Sequence, residues 1–543
     1  MVDQDGFNQS PFYGDVDLYA ADQPLRDAVA ANGAEDEAPL LAAFGRRWGS
    51  IDMMEQARLA NENPPKLRAF DAKGFRRDII EHHPAYHHFL KESIDFGLHA
   101  STWTDTGDRA DPPAEVARAA RCYMAAQVEP GHLTPVVLTR AAVAALAREP
   151  ALTGEMIKKA VTNHYDPSFR PWEEKFGITL GIAMTERQGG SDVRTNVTRA
   201  EPSEDGYLIT GHKWFISAPM SDAFLVLAQT DAGPTCFLVP RFRPDGSVNA
   251  LHFVRLKDKL GNRANASVEC EFNQALGWRI GTEGDGVGTM MGSVQLTRTD
   301  CAVSSAGLMR AALTQALHHA RHRAAFGKRL VDQPLMRAVL ADLALEMEAT
   351  VALVMRLCRS IDQAGTDERE RVRARILTPV AKFWVCKLAP TFIAEAMECM
   401  GGNGYIEDGP LPRLYREAPN NAIGEGSGNV LCLDVLHQAG QNRDEVLGVL
   451  GAIRDGAGNL SGAAAAAGDI EEILAKKDDA FDARIAVERL ALLAGTEAMH
   501  SAKSPFSEAF ARTRLAGPVR ATYGSRALSP TEADQLISRV LPD

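Results

Sequence analysis

Glu425 stands in the run IGEGSGN, among glycines at 424, 426 and 428. Glycine lets a backbone approach a ligand closely and leaves the carboxylate without bulky neighbours, which suits a base that withdraws a weakly acidic carbon-bound proton. The same loop also reads as an ordinary surface turn. In AMTERQGGSDV, residues 183–193, Thr185 and Ser191 bracket a Gly-Gly bend. Hydroxyls and backbone N–H groups presented at a bend suit the oxygens of a phosphate or another polar ligand edge, although a self-satisfied β-turn has the same sequence. Arg323 lies in RHRAAFGKR, with Phe326 inside the run and Gln333 just beyond it. A guanidinium stays charged and its planar fork binds two phosphate oxygens; a solvated basic helix end reads alike. His82, His83, His87 and His88 in EHHPAYHHF offer a weak metal pair, because Pro84 separates them and no matched carboxylates accompany them. We expect no metal. The sequence has no GxxxxGK[ST] loop and no GxSxG elbow, which removes the best support for nucleotide hydrolysis and for an α/β-hydrolase.

The elements that must position these residues change along the chain. Residues 1–40 mix Gly, Pro, Asp and scattered aromatics without a period and read as an extended arm. Residues 41–178 are helical in pattern, with Val116, Ala119, Ala120 and Tyr123 on one face. Over 179–290, Gly-rich turns separate short β-branched and aromatic runs such as GYLITGHKWFIS and AFLVLAQT, which predicts a small β domain. Helices return over 291–440, where Met336, Val339, Leu340, Leu343 and Met347 form one buried stripe with Asp342 and Glu346 between its members. Gly and Ala runs over 446–468 predict a joint. Beyond it an appended helical unit, within 441–543, has Phe481, Ile485 and Leu492 on a shared face.

Composition narrows the class. The 543 residues are 45% hydrophobic and 24% charged, so folding is the default. A net charge of -12 repels nucleic acid and anionic membranes unless a local basic patch intervenes. One such patch exists: Lys503, Arg512, Arg514, Arg520 and Arg526 face Glu508 alone over 503–526. The eight cysteines form no CxxC pair and read as reduced thiols. With no secretory signal and no apolar run near the bilayer-spanning length of roughly 20 residues, a soluble cytoplasmic protein without a membrane partner is expected.

Taken in order, AMTERQGGSDV, GHKWFISA, Thr297-Arg298 followed by HRAAFGKRLVDQ, and the stretch from Gly401 to Asn429 resemble the acyl-CoA dehydrogenase family. NENPPKLRAFDAKG, RLKDKLGNRANAS, GEGSGNVLCLDVL and the C-terminal extension make the resemblance closest to its AidB branch of alkylation-response flavoproteins. The resemblance implies a mainly α fold with a central β-barrel or sandwich domain, a helical domain before it, a helical bundle after it and a C-terminal helical extension. It also implies bound FAD. Met184 and Thr185 would meet the isoalloxazine, and Ser191 the diphosphate or a thioester ligand. Phe215, Ile216 and Ser217 would lie against the ring, with Phe215 in place of a usual Trp and Ser217 in place of a usual Thr. Arg323, Phe326 and Gln333 would hold the diphosphate and adenine end, with Gly401 and Gly402 of a neighbouring subunit closing over it and Asn429 contributing beside the base. Glu425 would be the base and Arg298 its neighbour. Thr297 occupies the position where the isovaleryl branch carries its base, so the chain follows the commoner arrangement. One departure is Glu398, where the family usually has a Gln.

These implications leave three alternatives. The first is an AidB-type flavoprotein with a retained flavin redox site but little or no dehydrogenase turnover, which binds double-stranded DNA without sequence specificity, through Lys503, Arg512, Arg514, Arg520 and Arg526, and protects it from alkylation. The second is an ordinary acyl-CoA dehydrogenase with no DNA role. The third is a flavin-bearing structural factor, which the retention of Glu425, Arg298, Thr185 and Ser217 disfavours. A homotetramer, as a dimer of dimers, follows from the resemblance.

Overall fold

The computed structural model describes residues 7–475, 480–517, 523 and 528–541. The chain forms two compact units interleaved along the sequence: Glu55–Ala114 with Glu129–Thr297, and Met1–Met54 with Glu115–Val128 and Arg298–Asp543.

The first unit carries the sheet. A hairpin of β1 (Lys66–Phe70) and β2 (Arg76–Glu81) precedes β3 (Leu180–Ala183), β4 (Arg199–Ser203), β5 (Gly206–Ser217), β6 (Ala223–Thr230), β7 (Gly233–Pro240), β8 (Leu251–Leu256) and β9 (Ser267–Ile280). The seven-stranded sheet runs β3-β6-β4-β5-β9-β7, β8 pairs with β9, and β6 also pairs with β7, so the order closes on itself as a barrel. β6 shows why AFLVLAQT is apolar on every residue of its first half. Phe224 and Val226 join Ile209, Ile216, Phe237 and Phe253 in one core. Leu225 and Leu227 point the other way, into a second core with Ala142, Leu146 and Ile157 from the Leu133–Leu146 and Pro150–Ala160 helices. Alternation sends successive side chains to opposite faces, and here both faces are covered.

The β1–β2 hairpin is a strand pair that the helical reading of 41–178 did not include. KLRAF and RRDIIE are too short for a helical period, and Asp71 closes the turn between them by accepting from the Lys73 and Phe75 N–H groups at 2.8 and 3.0 Å.

The second unit is helical. The expected arm over 1–40 contains a helix, Gln23–Ala31, started by Asp22, whose carboxylate accepts from the Leu25 N–H at 3.1 Å. That carboxylate is buried and also takes the Tyr123 hydroxyl at 2.8 Å and the Arg310 guanidinium at 3.2 Å. A local cap and two distant partners together override the missing period. The helix Pro334–Gln363 is buried on nearly every side from Leu340 onward. Asp342 and Glu346 are therefore not on a polar face: both meet the buried Arg514, at 2.6 and 2.5 Å. An 18-residue window of the Glu368–Cys399 helix is apolar enough to cross a bilayer, and 78% of that window is buried inside the protein.

Residues 441–543 do not cluster as a unit of their own. Helices Arg443–Ala457, Ala463–Ala475, Ala483–Ser501, Ser507–Arg514 and Pro530–Val540 join the bundle, and Arg539 pairs with Glu348 and Asp27 while Arg373 pairs with Glu497. The predicted joint is narrower than its glycines imply. Helix continues through Gly448 and Gly451 and stops at Gly458, where φ is 59°. The face predicted from Phe481, Ile485 and Leu492 is the wrong one: Phe481 precedes the helix and is 90% exposed, and Ile485 is exposed as well. The buried side is built from Ala486, Val487, Leu490, Ala491 and Ala494.

Candidate active site

In the β-bearing unit, β3 delivers Met184 and Thr185 at its end. Met184 is partly buried against the second core, and the Thr185 carbonyl accepts from the Trp214 N–H at 2.9 Å, tying this loop to β5. Gly190 returns so close that a methyl group there would stand 3.0 Å from Thr185 Cγ2. Ser191 is exposed. On β5, Phe215 is 48% exposed and Ser217 lies on the same face, its hydroxyl 3.2 Å from that of Ser267. Ile216 is fully buried in the barrel core. Its side chain therefore does not share the surface of Phe215 and Ser217, as strict alternation along a strand requires.

Sequence reasoning passed over the pair that holds this loop. Glu186 and Lys213 are buried and meet at 2.8 Å. Lys213 also donates to the Met184 carbonyl at 3.2 Å, and Glu186 accepts from the Val197 and Thr198 N–H groups at 2.7 and 3.2 Å and from Gln188 Nε2 at 2.7 Å. Burial opposes the Glu186 charge, but Lys213 and these donors outweigh it and hold the carboxyl down at about 2. Burial pulls Lys213 down to about 8, with Glu186 resisting. The signal was available: both residues sit inside the two quoted motifs, and a Lys on an otherwise half-apolar strand needs a partner.

In the helical unit, the candidate base loop joins helices Leu411–Ile423 and Gly428–Gln441. Glu425 is exposed and adopts φ 58°, followed by Gly426 at 103°. A left-handed glutamate is strained by about 1–3 kcal/mol and persists where its surroundings impose it. Two buried cations do so. Arg298 donates through Nε to the Glu425 carbonyl at 3.0 Å while its Nη1 meets Asp434 at 2.6 Å, and Lys382 donates to the Gly426 carbonyl at 2.8 Å. Arg298 thus holds the backbone of the candidate base. Lys382 and Asp434 were missed; each is an isolated charge in an apolar run, AKFWVC and NVLCLDVL, which is the sign of a buried polar contact. Asn429 accepts from Arg484 at 3.2 Å.

Phe326 sits at the tip of a small hairpin, β10 (Ala324–Ala325) and β11 (Lys328–Arg329), with Arg323 immediately before it and Gln333 just beyond it, ahead of the Pro334–Gln363 helix. Phe326 and Gly327 form its two-residue tip with φ 52° and 76°, a turn that normally takes Asn-Gly. Phe326 is nonetheless 99% exposed. Gln333 Nε2 donates to the Ala325 carbonyl at 2.9 Å, and the Leu330 N–H to the Arg323 carbonyl at 2.8 Å. Gly401 has φ 60°, and a methyl group on Gly401 or Gly402 would meet nothing within 4 Å. Glu398 is exposed.

The basic C-terminal row is not one surface. Arg514 is buried between Asp342 and Glu346 and is corrected from a DNA contact to an internal ion pair. Arg512 is half-exposed and pairs with Glu532 at 3.1 Å; Lys503 is exposed. Arg520 and Arg526 lie outside the described residues. Among the described residues no group of His, Cys, Asp and Glu is arranged to hold a metal.

Comparison with known proteins places this geometry. Residues 8–167 match the adaptive response protein AidB N-terminal domain, 181–275 the acyl-CoA dehydrogenase middle domain and 284–440 the acyl-CoA dehydrogenase C-terminal domain. The chain is 47% identical over 432 residues to the putative acyl-CoA dehydrogenase AidB of Escherichia coli, covering 79% of each protein. It is 30% identical to acyl-CoA dehydrogenase family member 11 of Caenorhabditis elegans, over 76% of this chain and 69% of that one. Among solved structures, Caenorhabditis elegans ACDH-11 in complex with C11-CoA shares the fold with a TM-score of 0.84 at 24% identity, over 99% of this chain and 93% of that one.

Proposed function

Because the chain belongs to the acyl-CoA dehydrogenase family, in its AidB branch of FAD-dependent oxidoreductases, we propose that it carries out the α,β-dehydrogenation of an acyl thioester with Glu425 as the base. The observation that carries this reading is the exposed Glu425 carboxylate on a left-handed backbone held by Arg298 and Lys382. Bound FAD supplies the two-electron acceptor for the hydride that leaves the substrate β-carbon. The residues present fit that cofactor: hydroxyls of Thr185, Ser191 and Ser217 and the exposed ring of Phe215 suit the flavin ring and its diphosphate, and Arg323, Phe326, Gln333 and the open Gly401–Gly402 backbone suit the diphosphate and adenine end. Glu425 takes the α-proton, and backbone N–H groups of its loop polarise the thioester carbonyl. Anaerobic titration of the yellow protein with a panel of acyl-CoAs tests the reading. At least one should bleach the flavin of the native protein and none that of Glu425→Gln at equal flavin content; undiminished bleaching in the variant overturns the assignment.

The Arg323 hairpin holds the diphosphate and adenine end of the cofactor and the Gly401–Gly402 turn of a neighbouring subunit closes over it, in a homotetramer. Light scattering should find a tetramer, and a monomer with stoichiometric FAD would contradict the shared site. Sequence-independent binding of double-stranded DNA, with protection against alkylation, is the second reading. Among the described residues it rests on the exposed Lys503 and half-exposed Arg512. Replacing both with Ala should weaken binding at low salt and flatten the salt slope; unchanged affinity and slope would remove this reading.

A further inference from the structure

Residues 8–13 lie against the hairpin and turn that the proposed function assigns to the diphosphate and adenine end of FAD. Asn8, in a left-handed conformation with φ 51°, exchanges two hydrogen bonds with the backbone of Ala324: its Nδ2 donates to the carbonyl at 2.9 Å and its Oδ1 accepts from the N–H at 2.8 Å. The Asn8 carbonyl accepts from Arg323 Nη1 at 2.7 Å. The next residue, Gln9, accepts through Oε1 from Asn403 Nδ2 at 2.8 Å, immediately after Gly401–Gly402. The following residues fix the segment to the helix that ends just before the hairpin. Ser10 Oγ is 3.4 Å from His319 Nδ1, the Pro11 carbonyl is 2.9 Å from His318 Nε2, and the Tyr13 and His318 rings are 5.1 Å apart.

Each of these contacts constrains something that would otherwise be loose. A two-residue strand pair is marginal on its own, and its tip carries a strained, exposed Phe326. An arginine beside solvent samples many rotamers, whereas one N–H committed to a carbonyl orients the fork and leaves its other donors for an anion. Asn8 and Gln9 are adjacent, so the arm also ties the hairpin and the glycine turn to each other within one chain, although the two are far apart in sequence.

We propose that residues 8–13 are a strap that sets the Arg323 hairpin and the Gly401–Gly402 turn for the diphosphate and adenine of FAD, with Asn8 and Gln9 as positioning residues. The proposal rests on the assignment of that hairpin to FAD, and the test separates the two. Flavin release on dilution and flavin affinity by fluorescence are measured for Asn8→Ala, Asn8→Asp, Gln9→Ala and Arg323→Ala, with the melting temperature as a check on folding. Asn8→Ala should release FAD about 10-fold faster, the effect of roughly one lost hydrogen bond, with an unchanged melting temperature and an unchanged spectrum of the flavin that remains bound. Asn8→Asp keeps the acceptor for the Ala324 N–H and should recover part of the loss. Gln9→Ala should show a smaller acceleration of about 3-fold on the same scale. Native release rates in Asn8→Ala and Gln9→Ala alongside FAD loss in Arg323→Ala would overturn the strap and leave the hairpin assignment standing. Full FAD retention in Arg323→Ala would overturn both.

Discussion

Two loops, one in each unit, are held by a buried lysine that donates to a main-chain carbonyl: Lys213 to Met184 and Lys382 to Gly426. They differ in where the negative charge lies. In the β-bearing unit the counter-charge is Glu186, a member of the loop itself, and its two oxygens also gather the Val197 and Thr198 N–H groups. At the candidate base loop Arg298, which donates to the Glu425 carbonyl, pairs with Asp434 on the following helix, and the Glu425 side chain is on the surface. The loop that presents backbone and hydroxyls is anchored by its own side chain; the loop that carries the proposed base is anchored through its carbonyls.

The comparison breaks first at Lys213. Lys213→Met should destabilise the β-bearing unit by about 3–5 kcal/mol, because it strands Glu186 as a buried charge; thermal melting and flavin content report it, and native values would show the pair to be incidental. The same pair has a pH signature. Glu186 is held near 2, below the ordinary 4.5, so its stabilising contribution is complete above 4.5 and is lost as pH falls toward 2. The advantage of the native protein over Glu186→Gln in melting temperature should therefore shrink across that window, and a constant difference would contradict the pairing. Lys382→Met should cost less, about 1.5–3 kcal/mol for one charge-assisted bond, and should depress acyl-CoA-dependent bleaching more than FAD binding; equal losses in both would mean that Lys382 does not act through the base loop. The smallest effect separates strain from function. Glu425→Gly relieves the left-handed strain of about 1–3 kcal/mol, offset by roughly 0.5–1 kcal/mol of extra unfolded-chain freedom for glycine, so it should raise stability modestly while abolishing bleaching, and a destabilised variant would show that the conformation is not strained.

Local signals carried well where the cause is local. Short β-branched and aromatic runs between turns located β5 and β6, and alternation along β5 separates Ile216 from Phe215 and Ser217, a distinction that a resemblance taken residue by residue overlooks. Short glycine-flanked runs marked both candidate loops. Signals failed where the decisive partner is remote. Arg514 looked like one member of a basic surface because nothing near it in sequence is acidic except Glu508, yet Asp342 and Glu346 wait on a helix far upstream. Phe481 carried a helical period that the helix starting at Ala483 does not extend to.

By itself the sequence determined which chemistry is present: a glutamate among glycines, hydroxyls at a Gly-Gly bend, an arginine in a basic run with a Phe-Gly pair, and strands and helices whose periods follow from the geometry of the peptide backbone. Only the tertiary structure decided which charges are anchors and which face outward, as with Lys213, Lys382 and Arg514, and that Asn8 reaches Arg323. Periodicity is a property of neighbouring residues, whereas the pairing of buried charges is settled by whichever distant group the folded chain brings within hydrogen-bond reach, since burial without a partner is too costly to persist.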